Sequence, residues 1–123
     1  MGKSQRVMGH QWERDVAILL RPVYPLASRG LQYKMDRPVP DVDNTDYWVE
    51  CKVGAAPNIR AAFKQSERDK EQASDLRPPL VVTKRHYERP VASMYLDDFI
   101  NLLRKACMIP TAAQMDFIQK GMK

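Results

Sequence analysis

Residues 47 to 53 read Tyr47-Trp48-Val49-Glu50-Cys51-Lys52-Val53, and the organisation of the chain follows from how this run is read. Aromatic and β-branched residues crowd a short segment, which is the composition of a β-strand. Strand side chains alternate between two faces. Tyr47, Val49, Cys51 and Val53 therefore share one face, and Trp48, Glu50 and Lys52 the other. The first face suits a core and makes Cys51 a buried free thiol. The second carries a carboxylate and an ammonium in an otherwise apolar strand. Upstream, residues 38 to 43 form another strand candidate in which Asp41 directly follows Pro40. Asn44-Thr45-Asp46 reads as a tight turn between the two. Such a hairpin brings Asp41 toward Glu50 and Lys52, while Asp43 reads as a turn or hairpin-end residue.

C-terminal to this hairpin, residues 54 to 57 are a loop and Asn58 is an N-cap. The helix that follows runs to about Leu76, with an apolar stripe of Ile59, Ala62, Phe63, Ala73 and Leu76, and Pro78-Pro79 stops it. Leu80-Val81-Val82-Thr83 is short and continuously apolar, the pattern of a central strand buried on both faces. A helix lying between two strands acts as a crossover, so the Trp48 and Leu80 strands are expected to run parallel. Residues 84 to 90 form a basic loop, and 91 to 95 a further strand. Asp97 caps a helix over 98 to 106 with Phe99, Leu102 and Leu103 on its buried side. Pro110 ends it, and a short helix from Thr111 onward exposes Met115, Phe117 and Ile118. At the other end, residues 1 to 8 read as a flexible basic arm. Residues 9 to 21 have a helical stripe of Trp12, Val16, Ala17, Leu19 and Leu20, ended by Pro22. The stretch from Tyr24 to Tyr33 holds one strand punctuated by Gly30. The expected fold is α/β, a small mixed sheet flanked by helices. It occupies residues 9 to 106, between the arm and a tail over 107 to 123.

Bulk properties agree with one packed domain. The chain has 123 residues, 44% hydrophobic and 28% charged, which excludes global disorder. Its net charge of +5 points to a polyanionic partner, nucleic acid first. Cys51 and Cys107 form no CxxC pair, and His10 and His86 are far apart. That argues against a zinc site and against a disulfide framework, and favours a reducing compartment. No apolar run reaches the ~18 residues of a membrane span, and the N-terminus lacks a signal-peptide core. The expected location is cytoplasmic, or a host cytoplasm.

Glu13 sharpens the site. Val16, Ala17 and Leu20 lie three, four and seven residues after it, so Glu13 sits on or beside the apolar stripe of the first helix. A carboxylate there is costly without a partner. A metal ion shared with Asp41 and Glu50 would supply one, and hard oxygen ligands favour magnesium or manganese. The competing reading makes Glu50 and Lys52 an exposed ion pair and lets Glu13 reach water at the stripe edge.

Pro40-Asp41 followed by Glu50-Cys51-Lys52 resembles the PD-(D/E)XK signature of the restriction-endonuclease-like nuclease superfamily. "GHQWERDVAILL" (9 to 20) is similar to the first helix of its Holliday-junction-resolvase branch, with Glu13 as the helix glutamate. "WVECKVGAAPNIRAAFKQSERD" and "LVVTKRHYERPVASMYLDDFINLL" look like small phage-encoded members, in which a helix glutamine matching Gln65 approaches the site. The resemblance covers residues 9 to 106 and not the tail. It implies an αβββαβ core and metal-dependent phosphodiester hydrolysis. Asp41, Glu50 and the Cys51 backbone carbonyl would be metal ligands, with Glu13 direct, through water, or at a second metal. Lys52 would orient or help deprotonate the attacking water, and Gln65 would be a positioning donor. It also implies a homodimer that cuts branched, four-way DNA. Arg60, Lys64, Arg68, Lys84, Arg85 and Arg89 suit phosphate contacts that position DNA without reading sequence. Two alternatives stay open: a phage nuclease acting on flaps, forks or duplex, and a non-catalytic DNA-binding module on the same fold.

Overall fold

The computed structural model describes residues 2–31, 33–34, 36–107 and 112–121. Among the described residues, seven strands and four helices follow one another as α1 (Lys3–Leu20), β1 (Ser28–Arg29), β2 (Tyr33–Lys34), β3 (Arg37–Pro38), β4 (Val42–Asp43), β5 (Trp48–Gly54), α2 (Ile59–Ala73), β6 (Pro79–Arg85), β7 (Val91–Ser93), α3 (Leu96–Cys107) and α4 (Ala112–Gly121). Five strands make one sheet in the order β1-β4-β5-β6-β7, and β2 and β3 pair separately. β5 and β6 run parallel, joined by α2, and the other pairings are antiparallel. This is the small mixed α/β sheet flanked by helices that the alternation in β5 and the crossover helix predict.

Each face of β5 has its own helix. Trp12, Val16 and Ala17 of α1 pack with Val42, Val49 and Cys51, and Val53, Leu80 and Val82 join from the same side of the sheet. On the other side Trp48 and Val81 are buried, and α2 sinks Ala62 and Ser66 toward them. The Ser66 hydroxyl is satisfied within the helix, donating to the Ala62 carbonyl at 2.9 Å. Asn58 caps α2 by accepting from the Ala61 N–H at 3.0 Å, as expected.

The boundaries depart from the sequence reading in several places. α3 begins at Leu96, so Asp97 lies in its first turn and not at its cap. β6 runs on through Lys84 and Arg85 of the expected loop, and β7 ends at Ser93. The stretch from Tyr24 to Tyr33 holds β1 and the start of β2 where one strand is expected. Four further departures have a local cause. α1 begins at Lys3, so residues 3 to 8 are helical and continuous with the rest of α1. No proline interrupts the run, and Gln5 folds back to accept from the Gly2 N–H at 3.2 Å. The strand expected over 38 to 43 pairs in the main sheet only at Val42 and Asp43, because Pro40 has no N–H for a ladder. α2 ends at Ala73, and Leu76 lies beyond it, exposed. There Asp75 grips Arg77 at 2.8 Å while Arg77 also donates to Asp43 at 2.9 Å, tying the chain to the β4–β5 turn. This gives Asp43 its structural role. Finally, α3 buries none of its residues. Phe99, Leu102 and Leu103, expected on a buried side, stay partly open to solvent. α3 is approached by the body through Tyr95, whose ring lies 4.6 Å from that of Phe63. In α4, Phe117 and Ile118 are exposed as expected, and the Met115 side chain lies outside the described residues. No helix among the described residues is long and apolar enough to cross a membrane.

Candidate active site

β4 pairs with β5 at Val42 and Val49 and then diverges, leaving the edge of β5 open beside Glu50 and Cys51. The Pro40-Asp41 segment crosses this gap. The Asp41 N–H donates to the Val49 carbonyl at 2.9 Å, and its own carbonyl accepts from the Gly30 N–H at 2.8 Å. The Asp41 carboxylate then accepts from the Cys51 N–H at 2.8 Å, taking the place of the missing strand neighbour. The carboxylate is locked beside Glu50 by backbone geometry. Gly30 makes the approach possible, since a Cβ there would lie 1.9 Å from the Pro40 carbonyl oxygen.

From the α2 side of β5, Lys52 places its ammonium 3.5 Å from Glu50 and donates to the Gln65 side-chain oxygen at 3.0 Å. From α1, Glu13 reaches the same region. Its partner is Arg29 of β1, at 2.6 Å. Glu13, Asp41, Glu50 and Gln65 line one cavity of about 640 Å³. The structure thus brings together the four candidate acids and amides with Lys52, as the charged face of β5 predicts.

Electrostatics single out the pair at the centre. Burial pushes the Glu50 carboxyl up to about 8, and the Asp41 charge adds to the rise while Lys52 opposes it. Burial likewise pushes Asp41 up to about 6, against the Cys51 N–H bond that favours its charged form. Two carboxylates this close and this dry cannot both ionise freely. Burial and the same carboxylates push the Cys51 thiol up, in keeping with an inert packing role.

Asp41 and Glu50 offer hard carboxylate oxygens side by side, the donor type that a divalent cation takes. The full expected ligand set is not assembled. Among the described residues, no group of three or more His, Cys, Asp or Glu side chains could hold a metal ion as it stands. Glu13 is engaged by Arg29, which leaves Asp41 and Glu50 as the side chains that could hold one.

Sequence reasoning missed four ionisable residues of this cavity: Arg6, His10, Arg29 and Asp69. Arg6, His10 and Glu13 lie at i, i+4 and i+7, one face of a helix that starts at Lys3. A helix read from residue 9 onward leaves Arg6 off that face. Asp69 is one turn beyond Gln65 on α2, and its charge also raises Glu50. Arg29 carries no sequence signal, since only the β1–β4 pairing brings it near Glu13.

The six candidate DNA contacts lie outside the cavity. Arg60, Lys64 and Arg68 are exposed on one face of α2, at i, i+4 and i+8. Lys84 is held over the Trp12 ring at 5.6 Å. Arg85 donates to the Ala55 carbonyl at 2.9 Å, and Arg89 is exposed.

Comparison with protein-family models, curated protein sequences and solved structures returned no match.

Proposed function

We propose that this protein is a metal-dependent endodeoxyribonuclease that hydrolyses phosphodiester bonds in branched DNA, resembling Holliday junction resolvases and working as a homodimer. The observation that carries the reading is the convergence of Asp41, Glu50, Lys52 and Gln65 at the open edge of β5, with Glu13 on the same cavity.

Asp41 and Glu50 would hold Mg²⁺ or Mn²⁺, with the Cys51 backbone carbonyl as a further oxygen and Glu13 after exchange of its Arg29 partner. A divalent cation held there would acidify water and draw charge from phosphate oxygens. Lys52, oriented by Gln65, would direct the attacking water and offset the negative charge that grows on the phosphate in the transition state. The Asp41 bond to the Cys51 N–H keeps this constellation on rigid backbone. The net charge of +5 supports DNA as the partner. Arg60, Lys64 and Arg68 suit one set of phosphate contacts, and Lys84, Arg85 and Arg89 another.

The test is cleavage of a labelled four-way junction and a matched linear duplex in magnesium, beside Glu50→Ala and Lys52→Ala. Paired cuts in the junction alone, lost in both variants, are the expected result. Equal cutting of both DNAs would move the assignment to a general nuclease. Binding without cutting in magnesium or manganese would refute the enzyme reading and leave a DNA-binding module.

A further inference from the structure

On the other side of α1 from the carboxylates lies a groove of about 960 Å³, between the N-terminal half of α1 and the turn that joins β6 to β7. Its floor is apolar, formed by Val7, Met8, Trp12 and Val53. Its rim is basic: Lys3, Lys84 and Arg85 line it, against Asp15 as the one acid among the lining residues. Two of the cations are fixed in advance, Lys84 over the Trp12 ring at 5.6 Å and Arg85 on the Ala55 carbonyl at 2.9 Å. Arg85 also lies 3.5 Å from the Glu88 carboxylate, an exposed pair that a phosphate can displace.

Tyr87 stands at the rim of the groove, at the tip of the turn. The Glu88 N–H donates to the Arg85 carbonyl at 3.1 Å, which puts Tyr87 at the third position of a four-residue turn. Its φ is 62°, in the left-handed region where glycine or asparagine ordinarily sits. Its ring is wholly exposed, at 104% of the reference area. The turn does not favour a tyrosine, and the core makes no use of one. An aromatic ring kept in water against the preference of its own backbone points to a stacking ligand.

We infer that this groove binds unpaired nucleotides of single-stranded DNA, with a base stacked on Tyr87 and phosphates on Lys84, Arg85 and Lys3. Positive charge along a groove plus an aromatic platform is how proteins hold single strands without reading sequence. Paired bases keep their faces inside the duplex stack, so an exposed ring selects bases that have left it. The inference rests on the nucleic-acid part of the proposal above and adds to it a contact for bases that leave the stack, as at a branch point. It uses none of the carboxylate residues.

The experiment is fluorescence anisotropy in EDTA, with a labelled short oligothymidylate and a labelled duplex. The wild-type protein is compared with Tyr87→Ala and Tyr87→Phe. Because the ring touches no core, Tyr87→Ala is expected to melt at the wild-type temperature. It should bind oligothymidylate about tenfold more weakly, within the range measured for loss of one stacked base. Its duplex affinity should change by less than about twofold, and Tyr87→Phe should bind like wild type, since phenylalanine keeps the π-face. No oligothymidylate binding by the wild type, an unchanged Tyr87→Ala affinity, or equal losses on both DNAs would each overturn the site. Junction cleavage with binding indifferent to Tyr87 would sink this inference alone. Tyr87-dependent binding without cleavage would sink the nuclease reading alone.

Discussion

Replacing Glu50 by glutamine should stabilise the protein at alkaline pH. The Glu50 side chain is 4% exposed, and burial raises its carboxyl from 4.5 to about 8. A carboxylate whose folded value lies above its unfolded one gives up its proton more readily in the unfolded chain. Its contribution to stability is therefore fully present below about pH 4.5 and is lost as pH rises to about 8. At ~1.4 kcal/mol per pH unit, that rise sets a ceiling of about 5 kcal/mol for the cost of the ionised side chain. Water entry and the Lys52 ammonium at 3.5 Å reduce it, and about 2 kcal/mol is a realistic net gain for Glu50→Gln. In a domain of this size that is about 8 °C in melting temperature. The assay is thermal unfolding of both proteins in EDTA from pH 5 to 9, outside any activity measurement. The gap should be small at pH 5 and widen toward pH 8. Equal melting at pH 8.5, or a gap that does not change with pH, would refute the account of a buried, charge-starved pair. Saturating magnesium should narrow the gap by stabilising the wild-type protein only, if Asp41 and Glu50 hold the ion.

Three further outcomes test the same construction. Gly30→Ala should destabilise by about 3 kcal/mol or more in urea unfolding, since its Cβ would meet the Pro40 carbonyl oxygen at 1.9 Å and displace the Asp41 segment. Arg29→Ala should cost about 1–2 kcal/mol by the same measurement, because it strands the Glu13 carboxylate, which is 16% exposed. A thiol reagent should titrate exposed Cys107 in the native protein and reach Cys51 only after denaturation. Rapid native modification of both would contradict the burial of Cys51.

Much of the fold was legible in local chemistry. The alternation through Trp48–Val53 assigned both faces of β5 correctly, because a strand's period of two is a property of the backbone alone. The crossover by α2 implied parallel β5 and β6 for the same kind of reason: chain connectivity leaves few alternatives. Asn58 declared the start of α2 through its own side chain. Element ends were less legible. Where α2 stops depends on Asp75, Arg77 and Asp43, two segments whose meeting no local pattern encodes. The exposed apolar face of α3 was unreadable too, since amphipathicity says which side prefers cover and not whether the fold supplies it.

The site divides along the same line. The sequence by itself determined that a carboxylate and an ammonium share one face of β5, that Asp41 stands near them, and that Glu13 lies beside an apolar stripe. Those facts need only strand and helix periods. Tertiary structure decided the rest. It set Arg29 against Glu13, closed the gap left by β4 with the Asp41 bond to the Cys51 N–H, and buried Glu50 deeply enough to shift its titration. It also separated Lys84 and Arg85 from the carboxylates by the width of α1. Burial, and the distance between residues remote in sequence, are sums over the whole packed molecule, so no stretch of the chain carries them alone.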